Sequence, residues 1–166
     1  IGTMAVQAKA ADYDVVISTG DKDMAQLVNE NVSLINTMTG VEMNIEGVVE
    51  KFGVRPDQII DYLALVGDTA DNIPGVPKCG PKTAVKWLTE YSTLKGVMEN
   101  ADAVKGKVGE YLRESLAHLP LSYELATIKL DVVLDEDIKE MHPRAPDKAA
   151  LKTLYTEYEF RQWIEE

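Results

Sequence analysis

Cysteine and histidine are scarce in this sequence, and basic residues are well outnumbered by acidic ones. One cysteine, Cys79, in 166 residues excludes an intramolecular disulfide, and two histidines, His118 and His142, leave no Cys/His set for a structural zinc. Uninterrupted apolar runs fall well short of the roughly 20 residues that span a bilayer, and nothing resembles a signal peptide. These features together predict a protein of a reducing, cytoplasmic setting. Lys and Arg total 17 against 28 Asp and Glu, a formal charge of -11 with a pI near 4.6. That argues against a chain that coats nucleic acid nonspecifically, because such binding runs on basic side chains releasing counterions.

What is there is a globular composition, 45% hydrophobic, enough to bury a real core. The acidity is also uneven. From Lys78 to Lys95 the chain carries four lysines, Lys78, Lys82, Lys86 and Lys95, against Glu90 alone, a local net of +3. A polyanion is expected to dock there.

Apolar positions Ile1, Met4, Val6 and Ala8 have helical spacing. DVVIS (14–18) reads as a buried strand, TGDKD as a turn and MAQLV as the start of a helix. VSLINT (32–37) and VEMN (41–44) read as two further strands about a Thr39-Gly40 turn. From Ile45 the pattern turns helical: IEGVVEKF closed by Gly53, then DQIIDYLALV, a helix opening at Pro81, VGEYLRESLAHL, SYELATIKL, and a last helix over DKAALKTLYTEYEFRQWIEE after the loop MHPRAP. The expected fold class is α/β: the tail end of an α/β sheet in residues 1–45, followed by a mostly helical region, 46–166, with a hairpin motif at 73–84.

Two acidic turns carry the first chemistry. In ISTGDKDMAQLV, Asp21 and Asp23 follow a strand, at the end of which open α/β sheets gather ligands. In LALVGDTADNIPGV, Asp68 and Asp71 are three apart, a spacing that on a helical turn would share one face. Carboxylates held together call for a cation, and hard oxygen ligands favour Mg²⁺ or Mn²⁺. Taken singly, GDKD reads equally as a solvated turn with a capping aspartate, and Asp71 as the cap of the next segment.

The run IPGVPKCGPKTA (73–84) is more specific. Glycines at 75 and 80 flank a Val-Pro-Lys-Cys turn, and Pro81 sits at a first helical position, so backbone N–H groups and a helix N-terminus face outward as a phosphate cradle. Lys82 and Lys86, four apart, line one helix face, and Thr83 adds a hydroxyl in the first turn. Lys105, Lys107 and Arg113 are either further phosphate contacts or solvated charges. Trp87, Trp163, Tyr111, Tyr123, Tyr155, Tyr158 and Phe160 read as core aromatics rather than base-stacking platforms.

ISTGDKDMAQLV, LALVGDTADNIPGVPKCGPKTA and LSYELATIKLDV together resemble the 5′-nuclease domain of bacterial DNA polymerase I, of the flap-endonuclease-like family, over essentially the whole chain. The resemblance implies a structure-specific 5′-3′ exonuclease or flap endonuclease acting on DNA by two-metal phosphodiester hydrolysis. It assigns Asp21, Asp23, Asp68 and Asp71 to metal binding and catalysis. Gly75, Val76, Gly80, Lys82, Thr83 and Lys86 become DNA contacts in a helix, three-turn, helix element, with K⁺ as a possible guest of the hairpin carbonyls. It further implies that family strands and acidic ligands lie upstream of position 1, so that the chain is a C-terminal portion of the nuclease, binding DNA but cutting poorly alone, with a polymerase domain in the parent. The sheet edge so exposed is a route to self-association. Two other classes stand beside this one: a non-catalytic DNA-binding module, and a Mg²⁺-dependent phosphatase, since GDTAD resembles an acidic loop of haloacid-dehalogenase-like enzymes.

Overall fold

A computed structural model describes residues 1–164. They form two units, Ile1–Val133 and a small second one from Leu134 onward.

The first unit opens with helix α1 (Gly2–Ala10) and strand β1 (Val15–Ser18), followed by β2 (Val32–Asn36) and β3 (Val41–Met43). The sheet order is β1-β2-β3, with β1 parallel to β2 in the register Val15↔Val32 and β2 antiparallel to β3. Parallel strands need a crossover, and here residues 19–31 provide it. The expected helix in MAQLV is instead a 3-10 segment, Lys22–Leu27. A 3-10 helix rises about 2.0 Å per residue against 1.5 Å for an α-helix, so it covers more distance in a crossover this short.

The helices follow as α2 (Ile45–Phe52), α3 (Ile59–Val66), α4 (Pro81–Tyr91), α5 (Leu94–Glu99), α6 (Lys107–Ser115) and α7 (Leu119–Ala126). Asn44 caps α2 by accepting from the Gly47 N–H, and Gly53 ends it in the left-handed region at φ 74°. Helix α3 is central and packs against α4, α5 and α7. Ile59 and Leu65 from α3, Leu88 from α4, Leu112 from α6 and Leu119 from α7 are fully buried in one core with Val48 and Val97. SYELATIKL is helical only to Ala126; beyond it the chain is extended and is held by α1, where Thr3 Oγ1 donates to Lys129 O and accepts from the Val132 N–H.

In the second unit α8 (Lys148–Glu157) and α9 (Arg161–Ile164) replace the single expected helix, broken at Tyr158–Phe160, with Glu159 at φ 57°. Glu165 and Glu166 of that expected helix lie outside the described residues. Trp87 is a core residue as expected, but Tyr158, Phe160 and Trp163 are each about half exposed. Instead Tyr155 packs edge-on against Phe160 and Trp163, which lie tilted against each other, because a unit this small cannot bury them. Among the described residues no helix is long and apolar enough to cross a membrane.

Candidate functional site

Strand β1 ends at Ser18, and the turn that follows is built from side chains. The Asp21 N–H donates to Thr19 Oγ1 at 3.0 Å, and Asp21 Oδ1 accepts from the Asp23 N–H at 3.0 Å, capping the 3-10 segment. One carboxylate oxygen of Asp21 is thereby committed to the backbone. Asp23 lies on the first turn of that segment and faces inward.

Its partners arrive from the end of α3. Gly67, at φ 81°, stops the helix, and the chain closes a loop in which the Asp68 N–H donates to Ile73 O and the Ile73 N–H to Asp68 O, at 2.9 and 2.8 Å. Asp68 and Asp71 therefore share a closed loop rather than the face of a helix. The loop aims both at Asp23: carboxylate oxygens of Asp23, Asp68 and Asp71 lie within 4.8 Å of one another, the one such group of three or more metal-ligand side chains among the described residues. Asp21 stands outside this group.

Electrostatics matches the geometry. Asp23 is pushed up to about 6, first by burial and then by the charges of Asp21, Asp68 and Asp71. Asp68 is held below the usual carboxylate range because Lys22 Nζ sits 2.8 Å from its Oδ2, while its Oδ1 accepts from the Ala70 N–H at 2.9 Å. Lys22 is the residue sequence reasoning passed over. It stands between the two aspartates of GDKD, but its partner is 46 positions away, and no periodicity links them.

The residues fit a divalent ion. Asp23 Oδ1 is buried with no hydrogen-bond partner, a costly state for an ionised oxygen unless a cation answers it. Three carboxylates on two rigidly closed turns are the donor set of Mg²⁺ or Mn²⁺. A cavity of about 300 Å³ opens at the carboxyl end of β1, lined in part by Thr19, Asp21, Lys22, Asn36 and Lys51.

The hairpin begins where the acidic loop closes. Gly75 lies against the backbone of Val66 and Gly67; Val76 is buried, and its N–H donates to Leu65 O at 2.9 Å. These two residues seat the hairpin on α3. The Cys79 N–H donates to Val76 O, and with Pro77 second and Lys78 third at φ 64° the turn has the type II pattern. Cys79 is buried and its thiol is pushed up to about 12, so it is inert. Ser122 Oγ of α7 donates to Pro74 O at 2.8 Å and braces the turn from the other side. Gly80 differs from Gly75: it caps α4, and a Cβ there would meet nothing within 4 Å. Lys78, Lys82 and Lys86 are exposed along this open end of α4 and Thr83 is half-buried. Arg113 is spent on structure, its guanidinium donating to Ala101 O and Val104 O.

Residues 1–53 match the 5′-3′ exonuclease N-terminal resolvase-like domain, and residues 54–149 match the 5′-3′ exonuclease C-terminal SAM fold. The chain belongs to the 5′-3′ exonuclease family. DNA polymerase I of Pseudomonas aeruginosa is 49% identical over 176 aligned positions, which take in 100% of this chain and 19% of that protein. The chain thus spans about a fifth of that relative's length. T5 5′-exonuclease with bound divalent zinc aligns at 26% identity and a TM-score of 0.68, over 75% of this chain and 48% of that one. The T5 flap endonuclease in a pseudo-enzyme-product complex with DNA and metal ions aligns at 25% identity and a TM-score of 0.67, over 74% and 47%. The exonuclease family joins a small sheet to helices of SAM type, the α/β class expected from the sequence.

Proposed function

We propose that this chain supplies metal-binding and DNA-gripping parts of a 5′-3′ exonuclease or 5′-flap endonuclease. The observation that carries the reading is the convergence of Asp23, Asp68 and Asp71 within 4.8 Å around a buried, unpartnered Asp23 oxygen, directly before the hairpin. Residues 1–45 serve as the catalytic sheet, and 46–166 as the DNA-binding region. Asp23, Asp68 and Asp71 would hold a first ion, Mg²⁺ or Mn²⁺, while Asp21 orients Asp23 through the cap and would contribute to a second. A bound divalent ion supplies charge neutralisation at a phosphate and acidifies a coordinated water.

Gly80, Lys82, Thr83 and Lys86 take the phosphates of a duplex, and Gly75 and Val76 fix the turn that presents them, with its carbonyls open to K⁺. Such contacts position DNA without reading sequence, which suits an enzyme that recognises flaps and nicks. The bacterial relatives that are DNA polymerases support a polymerase domain in the parent and a cytoplasmic setting. The free side of β1, the edge of the sheet, is the surface for any self-association. Four carboxylates, one of them half committed to the backbone cap, are too few to hold two ions, so the chain alone binds DNA and cuts it slowly.

The test is a titration of the chain into a fluorescent 5′-flap duplex with Mg²⁺, followed by anisotropy and then by gel. Salt-sensitive binding with little cleavage is expected. Rapid cleavage abolished by Asp68→Ala would show the acids here to be sufficient, and absence of salt-sensitive binding would overturn the DNA assignment.

A further inference from the structure

Both oxygens of Asp68 are engaged without metal: Oδ1 accepts from the Ala70 N–H, and the Lys22 ammonium holds Oδ2 at 2.8 Å. Asp23 Oδ1, by contrast, has no partner. The two members of the ion pair also differ in freedom: the Asp68 side chain is 8% exposed and the Lys22 side chain 45%. Only the lysine can leave without stranding a charge in the interior, because its long stem carries the ammonium to water.

We propose that Lys22 is an internal counter-cation of the acidic cluster, displaced from Asp68 when a divalent ion binds, and that it thereby sets the metal affinity of the site. The inference rests on Asp23, Asp68 and Asp71 being the metal ligands. Three carboxylates within 4.8 Å repel one another, and one ammonium reduces that repulsion enough to keep the loop and the 3-10 turn in register without metal. A divalent ion in contact with Asp68 Oδ2 cannot share it with an ammonium at hydrogen-bond distance, since the two cations repel. The outgoing ammonium has a place to go, because Lys22 already lines the cavity at the end of β1. Lys22 is in this sense a positioning residue: it acts through Asp68.

The experiment measures Mn²⁺ binding by calorimetry, and thermal unfolding in EDTA and in saturating Mn²⁺, for the wild-type chain, Lys22→Met and Lys22→Arg. Lys22→Met is expected to melt lower in EDTA, to bind Mn²⁺ about fivefold tighter, the scale of a partly exposed pair, and to lose its deficit in melting temperature once saturated. Lys22→Arg is expected to keep the wild-type affinity. A merely structural lysine would leave the same deficit with and without metal. Lys22→Gln provides the neutral variant if Lys22→Met fails to fold. Mn²⁺ binding by wild type that is equal or weaker in the neutral variant overturns the displacement and leaves the metal site standing. No Mn²⁺ binding by any of the proteins overturns the metal site itself, and the displacement with it.

Discussion

Gly67 and Gly75 meet backbone to backbone. A Cβ on Gly75 would stand 2.5 Å from the Gly67 nitrogen and 2.4 Å from the Val66 carbonyl. The contact joins the residue before the acidic loop to the first glycine of the hairpin, so one close approach sets both. Gly75→Ala is expected to cost about 1–3 kcal/mol, the usual range for overpacking, and to weaken metal and DNA binding together. Gly80→Ala, with open space around it, should stay within about 1 kcal/mol of wild type, the scale of an N-cap change, and weaken DNA binding alone. Thermal unfolding and the two titrations check this pair.

The pH dependence of the metal-free protein follows from Asp23. Its folded value of about 6 lies above the ordinary aspartate value, so the folded state binds more protons between roughly pH 4 and 6. Stability in EDTA is expected to rise as pH falls from 7 through 6, by about 1–2 kcal/mol after allowance for solvent screening. Asp68 has the opposite sign: its depressed value contributes stability that is lost as pH falls below the ordinary carboxylate range. Asp23→Asn should remove the gain above pH 4 and raise stability at pH 7.5. Melting curves in EDTA from pH 4 to 8 decide it.

Asp61 separates charge from hydrogen bonding. Only 5% exposed, it accepts the Leu94 N–H at 2.7 Å, and burial holds its carboxyl above the usual range. Asp61→Ala strands that N–H and is expected to lose about 1–3 kcal/mol. Asp61→Asn keeps an acceptor without the buried charge and should match or exceed wild type at neutral pH. Urea midpoints read both.

Lys82 and Lys86 are exposed, so replacing both with Gln should leave the melting temperature unchanged. The slope of log affinity against log salt for duplex DNA is expected to fall by about 2, since each lysine neutralises one phosphate. An unchanged slope would remove them from the DNA surface.

Much of the site was legible because its signals are local. VVIS is β-branched and buried, Gly53 stops a helix, and Gly-Asp pairs mark both acidic turns. What stayed hidden depends on the packing of distant segments against one another. Nothing in GDKD distinguishes Asp23, which joins the cluster, from Asp21, which caps the turn; the cap geometry decides it. Asp68 and Asp71 suit a helical turn by spacing, yet the mutual Asp68–Ile73 hydrogen bonds close a loop. Gly75 and Gly80 look alike in sequence, and only packing against Val66 separates their roles. Helix α5 escaped because six residues give too little periodicity.

The 3-10 turn that carries Asp23 is tied down by its own Gln26, whose Nε2 donates to Ala126 O and whose Oε1 accepts the Ile128 N–H, at 2.9 Å each. Those anchors come about 100 residues later in the chain. On a ribosome, at about 5–20 residues per second, the strand and the acidic loop emerge many seconds before the segment that locks them. The acidic cluster therefore does not settle in the order it is synthesised: its carboxylates wait for the end of α7 to arrive.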